Sequence, residues 1–314
     1  MHAVEIEQVT KTFGSHTAVD DLSLTVPAGS IYGFIGPNGS GKTTTLRMIM
    51  RILHPDRGTI RILGESTLGA ATDRVGYLPE ERGLYKQMKV RDVLRFYAEL
   101  KGVRRGRAAI DDWLARFDLA EWANKKVEAL SKGMAQKVQF IATVIHRPEL
   151  VLLDEPFSGL DPVNSEVLCE AVLELRSQGA TVIFSTHDMA MAEKLCDFIF
   201  MIYQGRKVLD GTLQSIRDTY GSDTLRVRLE GNGAALNGLP GVLKVADFGQ
   251  WKELRLQRDA DAQAVLAALL PRGRVTHFEL SQPSLHDIFV RIARPLTLPS
   301  SPEGERVGWG GARP

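Results

Sequence analysis

The run Gly36-Pro37-Asn38-Gly39-Ser40-Gly41-Lys42-Thr43 has the spacing G-x-x-x-x-G-K-T of a phosphate-binding loop. Its glycines let successive backbone N–H groups face one concavity at the positive end of the following helix. Lys42 is placed to reach the outer phosphates of a nucleotide, and the Thr43 hydroxyl to ligate Mg²⁺. Further on, the apolar run Leu150-Val151-Leu152-Leu153 ends in Asp154-Glu155-Pro156. Carboxylates at the end of a buried strand are costly unless they serve something. A metal ion beside the loop justifies both. Asp154 can hold Mg²⁺, directly or through water, and Glu155 can take the proton of an attacking water. Ala180–Phe184 reads as another buried strand and leads to Ser185-Thr186-His187-Asp188. His187 thus sits at a strand's C-terminal end, where α/β sheets bind ligands, which favours a phosphate contact over a capping or core role. No G-x-S-x-G elbow makes Ser185 and His187 a hydrolase pair.

Two further residues have double readings. Phe13 alone reads as a core aromatic; at its distance ahead of a phosphate loop it could stack on a base. Ser131, in Leu130-Ser131-Lys132-Gly133-Met134, reads as an N-cap, and a helix start is a second anion site. In isolation, capping alone accounts for it.

These residues need elements to hold them. Ser30–Ile35 reads as a buried strand and Thr44–Met50 as the helix after the loop. Ala3–Val9 and Leu22–Val26 alternate as half-buried strands, and Gly58–Gly64 and Arg74–Pro79 are short strands. A helical region follows. Val93, Phe96, Tyr97 and Leu100, and again Ile110, Trp113, Leu114 and Phe117, fall at i, i+3, i+4, i+7 and predict two core stripes. A helix runs to about Ser177, and Phe198–Tyr203 with Lys207–Leu209 forms a hairpin. A linker helix near Leu213–Tyr220 leads to a domain boundary at Gly221-Ser222. Beyond it, strands at Thr224–Leu229, Val242–Ala246, Leu254–Gln257 and Val275–Leu280, with helices at Ala262–Leu270 and Leu285–Ile292, predict a small α+β domain. From Pro295 the chain is rich in Pro, Gly and Ser and reads as a disordered tail.

Composition narrows the classes. The 314 residues are enough for two domains, and 25% charged with 44% hydrophobic is ordinary for a soluble globular protein. A net charge of +1 does not suggest a nucleic-acid surface. The longest apolar run, Ala264–Leu270, falls far short of the ~20 residues that span a bilayer. Glu5 and Glu7 lie where a signal peptide would be apolar, so none is expected. Cys169 and Cys196 sit among apolar residues and read as reduced, buried thiols. The expectation is a cytosolic protein that serves a membrane, if at all, from its surface.

With the pieces in this order, the first two thirds of the chain resemble the nucleotide-binding subunit of an ABC transporter. Gly36–Thr43 matches the Walker A motif, and Leu150–Glu155 matches Walker B with its adjoining glutamate. Leu130–Met134 falls where the family's signature belongs, Ser158–Asp161 where its D-loop belongs, and His187 at its switch histidine. The resemblance implies an α/β P-loop NTPase over residues 1–220 with an inserted helical subdomain at about 81–145. The small α+β domain at 221–293 and a tail at 294–314 follow. It implies ATP and Mg²⁺ as cofactors. Gly36, Pro37, Asn38, Gly39, Ser40, Gly41, Lys42, Thr43 and Thr44 would cradle the phosphates, with Phe13 stacked on adenine. Glu155 and His187 would be catalytic, and Thr43, Glu80 and Asp154 would hold the metal. It further implies a head-to-tail homodimer. Ser131 and Gly133 would touch the γ-phosphate bound by the partner, and Asp161 would couple the two sites.

Three positions depart from the family pattern. Lys132 and Met134 replace a glycine and a glutamine of the signature, and Glu80 replaces a glutamine. A glutamate can still ligate Mg²⁺, but it adds negative charge near the γ-phosphate. Tyr77–Tyr85, Leu130–Gly133 and the C-terminal Pro283–Phe289 are similar to bacterial exporter ATPases of the sodium-efflux and multidrug type with a small extra C-terminal domain. The partner implied is an integral membrane permease, met at the cytoplasmic face, with no nucleic acid. The alternative is a soluble family member acting in translation or DNA maintenance. Such proteins carry tandem ATPase domains or a long coiled coil, and this sequence has neither.

Overall fold

The structure is a computed structural model and describes residues 1–66, 72–81, 83–103, 106–220, 224–230, 236, 238–247, 249–257 and 260–297. Two long alternating strands, β1 (His2–Phe13) and β2 (His16–Pro27), form an antiparallel hairpin, and β4 (Arg57–Ile62) adds to the other edge of β1. The main sheet has the order β5-β6-β7-β3-β8-β9, from β3 (Ile31–Ile35), β5 (Val75–Leu78), β6 (Leu150–Asp154), β7 (Thr181–Thr186), β8 (Phe198–Tyr203) and β9 (Arg206–Thr212). The first five are parallel and β9 closes the edge antiparallel. Every residue of β3, β6 and β7 is buried, as largely apolar strands are when both faces of a parallel sheet are covered.

Alternate residues of those strands serve opposite faces. Leu150 and Leu152 of β6 join Phe34, Phe200 and Leu46 under the three-stranded sheet and α1 (Lys42–Ile49). Val151 and Leu153 join Phe117, Phe140 and Phe184 under the helices α2 (Val90–Leu100), α3 (Arg107–Arg116), α4 (Lys132–Val144) and α5 (Pro162–Ser177). This is the P-loop α/β architecture with a helical insertion.

A short helix, α6 (Met189–Leu195), follows β7, and α7 (Leu213–Tyr220) follows β9. Then comes a four-stranded antiparallel sheet, β11-β12-β10-β13, built from β10 (Thr224–Glu230), β11 (Val242–Asp247), β12 (Lys252–Leu256) and β13 (Arg274–Ser281). Val265 and Leu269 of α8 (Ala262–Leu269) pack with Leu225, Val227 and Leu254 of this sheet. The last helix, α9 (Leu285–Thr297), turns back instead. Leu285 and Ile288 are fully buried with Ile35, Ala192, Ile199, Met201 and Ile216 of the larger domain. Phe289 stacks edge-on with Tyr203, and Glu193 of α6 accepts the Leu285 N–H while pairing with Arg217. Among the described residues, no helix is long and apolar enough to cross a membrane.

Some expectations need correction. The core stripe of α2 is Val90, Val93, Leu94 and Ala98; Phe96 and Leu100 are 39% and 65% exposed. Residues 294–297, placed in the tail by their composition, continue α9. The boundary at Gly221-Ser222, and the tail from 298 onward, lie outside the described residues. Helix α6 is absent from the sequence reading; seven residues are too few to show a helical period.

Candidate nucleotide and catalytic site

The strand order brings the chemistry together. β6, β7 and β3 are neighbours in parallel, with Asp154 beside Ser185 and Ile35 beside Thr186. Gly36, Asp154-Glu155 and His187 therefore leave the sheet at one end, where helix N-termini and strand ends meet. The loop after β3 packs closely. A Cβ on Gly36 would stand 2.3 Å from the Ile202 carbonyl, and one on Gly41 would stand 2.5 Å from the Ala18 carbonyl. Gly41 also has φ +110°, a conformation that side chains resist.

Lys42, buried at the start of α1, donates from Nζ to the carbonyls of Gly36 (2.7 Å) and Pro37 (3.1 Å). Its ammonium lies 3.7 Å from Glu155 Oε1. Burial pushes its pKa down, against the pull of Glu155, Asp154 and Glu80. The next residue, Thr43, donates from Oγ1 to Asp154 Oδ1 at 3.1 Å, and Ser185 Oγ donates to the same oxygen at 2.6 Å. The Ser185 hydroxyl also accepts the Glu155 N–H at 2.9 Å. Asp154 Oδ2 is buried without a partner. A buried carboxylate oxygen left open next to a threonine hydroxyl is the donor set of a hard divalent cation, so the residues fit Mg²⁺. Glu155 is 9% exposed and has φ +49°, a strained backbone of the kind found at functional sites. Both its carboxylate oxygens lie 3.1 Å from Nδ1 of His187, a half-exposed side chain.

A cleft of about 470 Å³ opens over these groups, lined by Phe13, Asn38, Lys42, Thr43, Glu80 and Glu155 among others. Gly39, Ser40, Gly41 and Thr44 also line it; Gly36 and Pro37 give Lys42 their carbonyls. Phe13 is 46% exposed, which removes the core reading, and Lys11 sits 5.5 Å from its ring centroid. Glu80 is exposed at the end of β5. Sequence reasoning missed His16 and Ala18 on the cleft wall, and Ser185 as the partner of Asp154. His16 is set opposite Phe13 across the two-residue turn Gly14-Ser15, a local signal, whereas Ser185 is set opposite Asp154 by sheet register, which is not written in local sequence.

Ser131, Gly133 and Asp161 do not line the cleft. Ser131 is exposed and its Oγ caps α4 by accepting the Met134 N–H at 3.3 Å. Asp161 caps α5, accepting from the Asn164 N–H at 3.0 Å and from the Asn164 side-chain amide, which together hold its carboxyl below the usual range. Lys132 runs across Gly159 in the loop between them, with Nζ 3.6 Å from where a Cβ would stand.

A glycine loop capped by a buried lysine, an open carboxylate and a histidine-held glutamate define a P-loop nucleotide hydrolase. The comparisons with known proteins carry this further. A model of the ABC transporter family matches residues 19–158, and a model of the C-terminal domain of DrrA1-3-like ATP-binding proteins matches residues 211–293. The uncharacterized ABC transporter ATP-binding protein YhaQ of Bacillus subtilis is 43% identical over 287 residues, 91% of this chain and 96% of that one. The Nod factor export ATP-binding protein I of Paraburkholderia xenovorans is 33% identical over 297 residues, 92% of this chain and 96% of that one. A solved structure of an ATP-binding subunit of an ABC transporter superposes with a TM-score of 0.66 at 32% identity, covering 70% of this chain and 93% of the other. The chain belongs to the ABC transporter ATP-binding proteins. It is the nucleotide-binding ATPase subunit of such a transporter, whose partner is a membrane permease.

Proposed function

We propose that two copies of this chain close head to tail on two ATP molecules at the cytoplasmic face of the membrane and drive a permease that exports its substrate. The observation that carries this reading is the split between two surfaces. One holds the phosphate loop with Glu155; the other, at Ser131 and Gly133, is a capped and exposed helix start that does not line the cleft. Each copy then supplies what the other lacks, and the γ-phosphate joins them. Within the cleft, Phe13 stacks on the adenine, and residues 36–44 surround the phosphates. Thr43, Asp154 and Glu80 would hold Mg²⁺, which would neutralise phosphate charge when bound. Glu155 takes the proton of the attacking water. His187 orients that carboxylate through Nδ1 and faces the γ-phosphate, and Asp161 couples the two sites.

The permease docks on the helical subdomain. Tyr85, Phe96 and Leu100 are exposed beside a largely apolar groove of about 350 Å³, lined by Tyr77, Leu84, Tyr97 and Ala142 among others. Export is supported by the relative named for it. A net charge of +1 gives no reason to expect nucleic acid.

The Glu155→Gln variant tests this reading. It should bind ATP, fail to turn it over, and run as an ATP-dependent dimer by light scattering. Purified in mild detergent from its own cells, it should bring a polytopic membrane protein in near-equal amount. Wild-type turnover would remove Glu155 as the base; ribosomes or nucleic acid in place of the permease would end the transport reading.

A further inference from the structure

Helix α4 carries a buried polar stripe that the site described above does not use. Gln136, Gln139 and Thr143 fall at i, i+3 and i+7, so they share one face, yet Gln136 and Gln139 are 4% and 5% exposed. Apolar residues would be expected at such positions. The Gln136 side-chain amide donates to the Pro156 carbonyl at 3.1 Å. That of Gln139 reaches the Glu81 carbonyl at 3.3 Å and the Pro79 carbonyl at 3.5 Å. Thr143 Oγ1 lies 3.5 Å from the Tyr77 carbonyl. The helix is pressed onto β5: a Cβ on Gly76 would stand 2.5 Å from the Thr143 carbonyl. Gln139 keeps its place although its Oε1 is buried with no partner, a penalty an apolar side chain would avoid.

The two glutamines reach different loops. Pro156 follows Glu155, and Pro79 and Glu81 flank Glu80. The same helix begins at Ser131 and Gly133. We infer that Gln136 and Gln139 are positioning residues that yoke the Ser131 helix to the backbones carrying Glu155 and Glu80, so that a rotation of that helix moves both carboxylates at the cleft. Neither glutamine touches nucleotide; each acts by fixing a main-chain carbonyl. The inference rests on the proposed roles of Glu155 and Glu80.

The test uses the full chain with Gln136→Met and Gln139→Met, which keep length and remove the donor. Gln139→Asn keeps the amide but shortens its reach. Hydrogen exchange is read at Glu80 and Glu81 and at Phe157 and Ser158, with Val182–Phe184 as the internal reference. Loss of one such bond should speed exchange about 3- to 10-fold at the loop each glutamine holds and leave β7 unchanged. In the same variants kcat should fall about tenfold, with KM for ATP within about twofold, the pattern of a lost transition-state placement. Gln139→Asn should follow Gln139→Met. Unchanged exchange overturns the yoke, and so does faster exchange with unchanged kcat, which would make the contacts structural only. Exchange is read without turnover, so it tests the yoke even if Glu155→Gln kept its activity and the assignment of the base fell.

Discussion

Lys42 shows how one side chain does two jobs at this site. In the structure its ammonium is occupied by the carbonyls of Gly36 and Pro37 and lies within reach of Glu155. A nucleotide's outer phosphates offer a stronger partner than two neutral carbonyls, because there both donor and acceptor carry full charge in a buried setting. Lys42→Ala should therefore weaken ATP binding at least about tenfold, measured by titration with a fluorescent ATP analogue; unchanged binding would remove the phosphate loop from the site. The residue types of this loop were legible because the motif is local and glycine is required at Gly41 by both φ and space. The hydroxyl of Ser185 was not. Its bond to Asp154 joins residues 31 positions apart, and only the pairing of β6 with β7 makes it. Phe13 lay between the two: its type fitted either a core or a stack, and its exposure in the folded chain removes only the core.

At the scale of the element, α2 shows where a periodic reading slips. Val90, Val93, Leu94 and Ala98 form one stripe, and Val93, Phe96, Tyr97 and Leu100 form another, rotated by less than half a turn. Size favours the aromatic stripe, but the helix buries the aliphatic one. The two faces predict opposite outcomes. Leu94→Ala should cost about 2–5 kcal/mol in a urea melt, as a buried leucine does. Phe96→Ala should cost under about 1 kcal/mol yet weaken capture of the permease, since a half-exposed ring contributes little to the core. A loss of stability at Phe96 as large as at Leu94 would return that ring to the core. The parallel strands, by contrast, were readable almost residue by residue, because short apolar stretches such as Leu150–Leu153 and Val182–Phe184 have few other uses in a chain rich in glycine turns. The polar stripe of α4 was invisible at this level, since Gln136 and Gln139 look like surface residues until the β5 and β6 loops are placed against them.

The whole molecule is not two beads on a string. The chain leaves the ATPase domain through α7, builds the four-stranded sheet, and returns with α9 to cover Ala192, Ile199, Met201 and Ile216. Sequence reading expected a small α+β domain after the ATPase domain but could not see this return, because the apolar face of α9 is the same whether it packs on its own sheet or elsewhere. A chain ending at Gln282 should melt lower and hydrolyse ATP more slowly than one in which residues 224–281 are replaced by a short Gly/Ser linker that keeps α9. Equal melting of the two would mean that the α9 contacts carry no weight. The contact also lies close to the chemistry, for α6 begins just after His187, and Ile35 of the same cluster precedes Gly36. During synthesis the ribosome delivers α9 only after the whole ATPase domain. Until then the nascent ATPase domain displays an apolar seam at Ile35, Ala192, Ile199, Met201 and Ile216, so a chain stopped before α9 should be degraded faster than the full chain in a pulse-chase measurement.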